Sequence, residues 1–544
     1  MFIEPVFGKK FYGREEVLCT LQKRVKALKS GYRQNLALAG PMLAGKSSIL
    51  RHFLNTLKDP DILPVYIEVV SEDFPAFCSR MSATILYQFL KSEGVKGGNN
   101  LASLKELARG RVPDTVHCVE HILRSLKAHK YDLAYEGLLG VTSVLKSETG
   151  KNCIVILDEF HNISNFQLKK PFHTFGKFIM VQKNTMYIVS SSQKTLLKEI
   201  LAKKLSLLFG NFEVMEINGF DSITARSFLL EKMKDVPDHD LFADYLIQLT
   251  QGNPFYLEVI AARFGELVRA AEGSTETREV LIDALAGLLY DSGGILNQYF
   301  TTNIHFFTEK RSRKAIADVL VSMARGNRTI KAMDKGLGAK DKGLGDKLRK
   351  LQEMDVAKSC GAFYLIGDKL FEYWIRNVYS LRTGAVVDDM DIKYLEFKML
   401  AEKDIVSFSL FKEKQLSNVL SELFCSFANH KVSLNTYERI LPRFDSVEVR
   451  NVSEGIFEII AKTGSKPWVC RAKTSGIADE QDIIADWSER ISPAGTRPAR
   501  RIFIPFKGID HNAFLLAKEH GIWIWDNAQV NELLRCYGRH EIVL

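Results

Sequence analysis

The chain is 544 residues long, 46% hydrophobic and 26% charged, which is more than one ordinary core holds and predicts about two to four domains. Its formal charge of +9 is modest for this length; it permits nucleic-acid contact without demanding it. No apolar run is long enough to span a bilayer, Met1–Lys10 lacks a signal-like apolar core, and the eight cysteines show no CxxC pair, so a cytoplasmic protein with reduced thiols, no structural zinc and no membrane association is expected.

The first predicted strand, Asn35–Ala39, runs into Gly40-Pro-Met-Leu-Ala-Gly-Lys-Ser47, after which Ser48–Leu54 reads as a helix. Strand, glycine-rich turn and helix in this order make a P-loop. Gly40 and Gly45 allow the tight turn that aims backbone N–H groups and the helix N-terminus, from Ser48 on, at a phosphate. Lys46 is placed to reach the terminal phosphates and Ser47 to hold Mg²⁺, so ATP and Mg²⁺ are the expected cofactors.

Further apolar β-rich runs follow at Leu63–Val70, Cys153–Leu157, Met186–Ser190 and Phe212–Ile217, separated by helical patterns. Such alternation predicts an α/β fold with a buried parallel sheet and its ligand at the carboxyl ends of the strands. The interval 72–150 is long for one crossover and is expected to hold several helices, around Ala76–Phe89 and His117–Leu145. The strand Cys153–Leu157 ends in Asp158-Glu159, where Asp158 can orient Mg²⁺ through water and Glu159 can polarise the attacking water. The next strand ends in Ser190-Ser-Ser-Gln193; Ser192 is a candidate γ-phosphate sensor, with an ordinary turn as the alternative.

From Asp221 to about Phe300 the pattern is helical, as a lid bundle would be. Between Arg311 and Tyr379, helices are expected at Ala315–Met323, Thr329–Leu337 and Lys342–Met354, followed by a hairpin over Val356–Ile366, an order that suggests a winged helix-turn-helix. Leu344, Leu348 and Leu351 make the buried stripe of its third helix, and Lys342, Lys347, Arg349 and Lys350 lie elsewhere on its surface, as a DNA-contacting or simply solvated face. The segment 387–544 has β-like runs at Val447–Val452, Gly455–Ala461, Trp468–Ala472 and Arg501–Pro505 and a final helix at Asn527–Arg535.

Taken together, Phe11-Tyr-Gly-Arg-Glu-Glu16, the P-loop, Asp158-Glu159, the serine-rich strand end and Gly252-Asn-Pro-Phe-Tyr256 resemble the archaeal-type ATPase family, a branch of the STAND P-loop NTPases related to AAA+ proteins, over roughly residues 6–385. The resemblance implies that Gly13, Arg14 and Glu15 lie on the adenine side of the nucleotide and that Gly252 and Pro254 bring a lid helix near the phosphates. It extends to Asp368-Lys-Leu-Phe-Glu-Tyr-Trp374 after the hairpin. Relatives commonly carry Gly-Arg before the fifth strand where this chain has Gly210-Asn211, which removes an arginine from that position.

The last segment is similar to Mrr-type restriction endonuclease domains of the PD-(D/E)XK fold, in Gly455–Ile460, Trp468–Lys473 and the ending Ala517–Asp526. That resemblance puts the helix acid on Glu422, the first-strand acid on Glu458 and the catalytic lysine on Lys473, but Arg471 stands where the second acid belongs. A guanidinium there removes a metal ligand and repels the ion. The expectation is therefore a degenerate nuclease fold used for nucleic-acid or partner binding, with an active nuclease as the alternative; Arg497, Arg500, Arg501 and Lys507 make a short basic run that lines such a surface or, more simply, is a solvated strand entry.

The resulting expectation is an ATP-driven switch: a P-loop ATPase core (1–220), a helical lid (221–308), a winged helix-turn-helix (309–386) and a restriction-endonuclease-like domain (387–544). ATP, DNA and a second copy of the chain are its candidate partners. The rivals are an active ATP-regulated DNA endonuclease and a non-catalytic winged-helix regulator with a structural nucleotide.

Overall fold

Odd and even residues of the predicted strands go into two different cores. In the computed structural model, Ala37, Ala39, Val65, Val155, Tyr187 and Val189 pack in one cluster, and Leu36, Leu38, Ile154, Ile156, Met186 and Ile188 in another. A strand buried on both faces reads as a continuous apolar run, as Cys153–Leu157 does, and each fully buried Val, Leu or Ile contributes about 1.5–3 kcal/mol. The structure describes residues 4–205, 210, 212–271, 276–308, 313–338, 343–384, 389–434, 437–464, 466–488 and 498–544. Asn211, Lys342 and Arg497 lie outside the described residues.

The chain divides into two compact units: residues 1–220 with 253–255 and 353–355, and residues 221–252, 256–352 and 356–544. The first is built on β1 (Asn35–Ala39), β2 (Ile62–Glu68), β3 (Asn152–Asp158), β4 (Thr185–Ser191) and β5 (Phe212–Glu216), all parallel in the order β2-β3-β4-β1-β5. Because β1 lies between β4 and β5, with β3 beyond β4, the chain segments that leave β1, β3 and β4 emerge on one edge of the sheet. The long interval between β2 and β3 holds helices Phe74–Ser92, Leu101–Arg109, Pro113–Lys127 and Tyr131–Thr149. The stretch expected as helical over 117–145 breaks near His129, whose φ of 54° is left-handed and cannot continue a helix.

In the second unit, helices Arg313–Ala324, Ile330–Leu337 and Leu344–Glu353 precede the hairpin β6 (Ala357–Cys360) and β7 (Phe363–Ile366). Leu344, Leu348 and Leu351 are buried, as their spacing requires. Helix Lys369–Trp374 is capped by Asp368, which accepts from the Phe371 N–H at 3.0 Å and from the Tyr256 hydroxyl at 2.6 Å. The hairpin β8 (His430–Leu434) and β9 (Tyr437–Leu441) comes next. A second five-stranded sheet follows: β10 (Ser446–Ser453), β11 (Ile456–Thr463) and β12 (Lys466–Lys473) are antiparallel neighbours, and β13 (Arg500–Pro505) and β14 (Trp523–Ile524) continue it in parallel. Helices Leu416–Cys425 and Asn527–Cys536 share the core of Ile459, Cys470 and Ile504, whereas Phe503 packs on Ala513 and Ala517 of helix His511–Glu519. The sheet is therefore covered on both faces. No helix among the described residues is long and apolar enough to cross a membrane.

Candidate nucleotide-binding site

Gly40 leaves β1 so close to the chain after β5 that a Cβ on it would stand 2.0 Å from the Ile217 carbonyl oxygen. Only glycine fits there. Gly45, at φ 94°, ends the loop as the N-cap of helix Lys46–Thr56, a left-handed conformation that an L side chain resists, and Leu43 at φ 63° turns the loop between them. The side chain of Pro254 lies 3.7 Å from where a Cβ on Gly45 would sit, so Pro254 forms part of the loop wall.

Lys46 is 4% exposed and donates to the carbonyl oxygens of Gly40 and Pro41, both at 2.8 Å. Burial lowers its pKa, against the pull of the Glu159 and Asp158 carboxylates. A desolvated ammonium satisfied by two carbonyls is poised for a stronger anionic acceptor. Ser47 donates its hydroxyl to Asp158 Oδ2 at 2.6 Å, and Tyr66 from β2 donates to the same oxygen at 2.6 Å. Ser190 donates to Asp158 Oδ1. Ser48 instead accepts from the Val6 N–H at 3.0 Å, which ties the N-terminal segment to the first turn of the loop's helix.

Glu159 sits one residue past β3 in a left-handed conformation, φ 52°. Its Oε2 accepts from the Ser192 N–H at 2.9 Å and the Ser192 hydroxyl at 2.8 Å, and lies 3.3 Å from His161 Nδ1. His161 is buried and its Nδ1 is 2.9 Å from Ser191 Oγ; burial lowers its pKa and the Glu159 charge opposes that. On the far side of the loop, Gly13 and Arg14 are both left-handed, at φ 64° and 71°. The Arg14 guanidinium reaches Ala44 O at 3.2 Å and Asn218 O at 2.5 Å and stacks 4.9 Å over Phe220. Glu15 is exposed in the first turn of helix Glu15–Lys29, where the helix dipole favours an acid.

The structure thus brings Lys46, Ser47, Asp158, Glu159 and Ser192 together, with Arg14 and Pro254 against the loop. Sequence reading missed Tyr66 and His161, and gave Ser190 only as part of the polar strand end. Tyr66 is the nearest to legible, because β2 is apolar on both sides of this single phenol; its place beside Asp158 depends on the β2–β3 pairing, which puts Glu68 opposite Asp158.

The donor set fits ATP with Mg²⁺. Mg²⁺ takes hard oxygens and usually completes its shell with phosphate and water. A serine hydroxyl and a carboxylate 2.6 Å apart, beside a buried lysine, offer the protein's share of such a shell. Among the described residues no group of three or more His, Cys, Asp or Glu is arranged to hold a metal ion.

In the second unit, Glu458 and Arg471 face each other across β11 and β12 and form a buried ion pair, with Arg471 Nε 3.0 Å from Glu458 Oε1. Lys473 pairs at 2.6 Å with Asp482, a residue that sequence reading overlooked. Glu422, on helix Leu416–Cys425, is bound to Lys414 and Arg539, both at 2.6 Å. Glu422, Glu458, Arg471 and Lys473 therefore each have a partner of opposite charge.

Residues 11–260 match the model of an ATPase domain found predominantly in Archaea. Among solved structures, the chain is similar to the Walker-type ATPase PABY2304 of Pyrococcus abyssi, at 16% identity and a TM-score of 0.47, covering 68% of this chain and 97% of that one. It is also similar to the ORC2 protein of Aeropyrum pernix in its ADPNP–ADP complexes, at 10% identity and a TM-score of 0.42, covering 74% and 98%. The RuvB Holliday junction branch migration motor of Thermotoga maritima matches at 12% identity and a TM-score of 0.35, covering 68% and 98%. No curated protein matches the chain.

Proposed function

We propose, from the archaeal-type ATPase domain that residues 11–260 form, that the chain is an ATP-binding and ATP-hydrolysing switch whose second unit is the output. The observation that carries this reading is the 2.6 Å contact between Ser47 and Asp158, with Glu159 one residue further on and held by Ser192. A P-loop alone binds; a loop joined to a strand-end acid pair has the means to turn over.

Gly40, Gly45 and the N-terminal turn of helix Lys46–Thr56 cradle the phosphates with backbone N–H groups, and Lys46 exchanges its two carbonyl acceptors for phosphate oxygen. Ser47 and Asp158 hold Mg²⁺, which when bound neutralises charge on the phosphates. Glu159 orients and polarises the attacking water, and Ser192 sets the direction of its carboxylate. Gly13, Arg14 and Glu15 border the adenine side, and Pro254 lines the loop. ATP and its hydrolysis products then favour different arrangements of the lid, and the difference in their affinities sets which one is populated.

For the output, a winged helix-turn-helix is built from the helices between 313 and 353 and the β6–β7 hairpin, with Arg349 and Lys350 exposed on its third helix. The sheet of β10–β14 is a degenerate nuclease fold: Arg471 neutralises Glu458 in place of a metal, and Lys473 is committed to Asp482. DNA is the proposed partner of this unit.

Nucleotide binding and steady-state hydrolysis by the full chain test the proposal. Lys46→Ala is expected to lose ATP binding, and Glu159→Gln to keep binding while losing turnover by about 10²–10⁴-fold. Equal hydrolysis by wild type and Glu159→Gln would overturn it.

A further inference from the structure

Trp523 on β14 has two arginines over its ring, Arg439 from β9 at 4.7 Å and Arg500 from β13 at 5.2 Å. Arg439 also lies 4.9 Å over Tyr437, so Tyr437, Arg439, Trp523 and Arg500 alternate ring and cation. Trp468 packs edge-on against Trp523, with ring centroids 5.4 Å apart at 90°, and holds it in place. Arg500 is exposed, and Tyr437 and its strand neighbour Ile440 are 53% and 63% exposed.

A guanidinium stacked on a ring spends its face on the cation–π contact and keeps its N–H donors directed outward in its own plane. Among the described residues neither Arg439 nor Arg500 has a carboxylate partner; Arg439 donates only to the adjacent Glu438 carbonyl, at 3.1 Å. This contrasts with Arg471, Arg535 and Arg539 of the same unit, each paired with a glutamate. Two flat, oriented, unneutralised guanidiniums fit successive phosphates, and an exposed tyrosine ring beside them fits an unpaired base.

We infer that Tyr437, Arg439, Trp523 and Arg500 form a binding surface for single-stranded nucleic acid, with the arginines on its phosphodiester backbone and Tyr437 under a base. The surface is separate from the nuclease-like residues. Trp468 is the partner of Arg500 in the β12–β13 ladder and Lys473 the partner of Pro505, so Trp468 and Lys473 are about 17 Å apart along β12. It also does not depend on nucleotide turnover.

Fluorescence anisotropy of a labelled oligothymidylate with the full chain tests the inference. The wild type is expected to bind with an affinity that falls as salt rises. The Arg439→Ala/Arg500→Ala variant should weaken binding about tenfold and lower the salt slope by about 1.4. Tyr437→Ala removes an exposed ring that no core depends on, and should weaken oligothymidylate binding while duplex binding stays the same. Lys46→Ala should leave oligothymidylate binding intact, so a failed nucleotide site and a failed nucleic-acid surface are told apart. Unchanged affinity and salt slope in the double-arginine variant would overturn the inference. So would loss of binding in Lys347→Ala/Arg349→Ala/Lys350→Ala alone, or binding to phosphatidylserine vesicles with none to the oligonucleotide.

Discussion

Ser192 donates both its backbone N–H and its hydroxyl to one oxygen of Glu159, at 2.9 and 2.8 Å. The end of β4 thereby sets the direction of a carboxylate carried by the end of β3. Ser192→Ala removes one of the two donors and leaves the backbone N–H. Turnover is expected to fall about tenfold with KM for ATP unchanged, because a positioning contact acts on the reacting arrangement rather than on substrate binding. Steady-state hydrolysis across ATP concentrations checks the split.

Lys46 is a buried cation whose pKa burial depresses, so without nucleotide it costs the fold desolvation energy. Lys46→Met keeps the packing and removes the charge. It is expected to abolish ATP binding, measured by titration calorimetry, while the melting temperature without nucleotide does not fall. A lowered melting temperature would mean that the two carbonyl contacts outweigh the burial of the charge.

Burial lowers the pKa of His161 below its ordinary value near 6.5. As pH falls through 6.5 the unfolded chain takes up this proton before the folded chain does. Stability is therefore full above that pH and is lost as pH falls toward the folded pKa. His161→Gln should flatten the decline in melting temperature between about pH 7 and pH 5. His430 and His540, also lowered by burial, are common to both proteins, so the difference between the two curves reports on His161.

Glu458 is 1% exposed and has Arg471 across the ladder. Arg471→Ala leaves that carboxylate buried and uncompensated and is expected to cost about 3–5 kcal/mol. Replacing both, as Glu458→Gln/Arg471→Met, should recover most of the loss. Chemical denaturation followed through the tryptophans measures both. Equal destabilisation in the single and double variants would show that the pair is not coupled.

The nucleotide loop could be read from the chain because its chemistry is local. Gly40, Gly45, Lys46 and Ser47 are neighbours in sequence, and each is needed for what its own backbone or side chain does at that point. Asp158 and Glu159 were legible as the polar end of an apolar run. Their partners were not: Tyr66 reaches Asp158 from 92 residues away and Ser192 reaches Glu159 from 33, and nothing in the period of an apolar pattern reports which strands are adjacent. The break at His129 escaped the apolar pattern for a related reason, since one left-handed residue redirects a helix without changing its spacing of buried side chains.

In the second unit, Arg471 and Glu458 were each legible as a charged residue in an apolar strand, but their pairing across the β11–β12 ladder was not read from the chain. That Lys473 belongs to Asp482 depends on β12 meeting helix Glu480–Ser488, and that Arg439 and Arg500 meet over one tryptophan depends on β9, β13 and β14 converging.

By itself, the sequence determined that a glycine-rich strand-to-helix loop precedes a strand-end acid pair, since those residues are covalently adjacent. Tertiary structure alone decided that Ser192 holds Glu159, that Tyr66 and Ser190 hold Asp158, and that Arg439 and Arg500 stack over Trp523 beside Tyr437. Such contacts depend on the order of strands in a sheet, and that order is set by the burial of both sheet faces at once, a property of the whole fold.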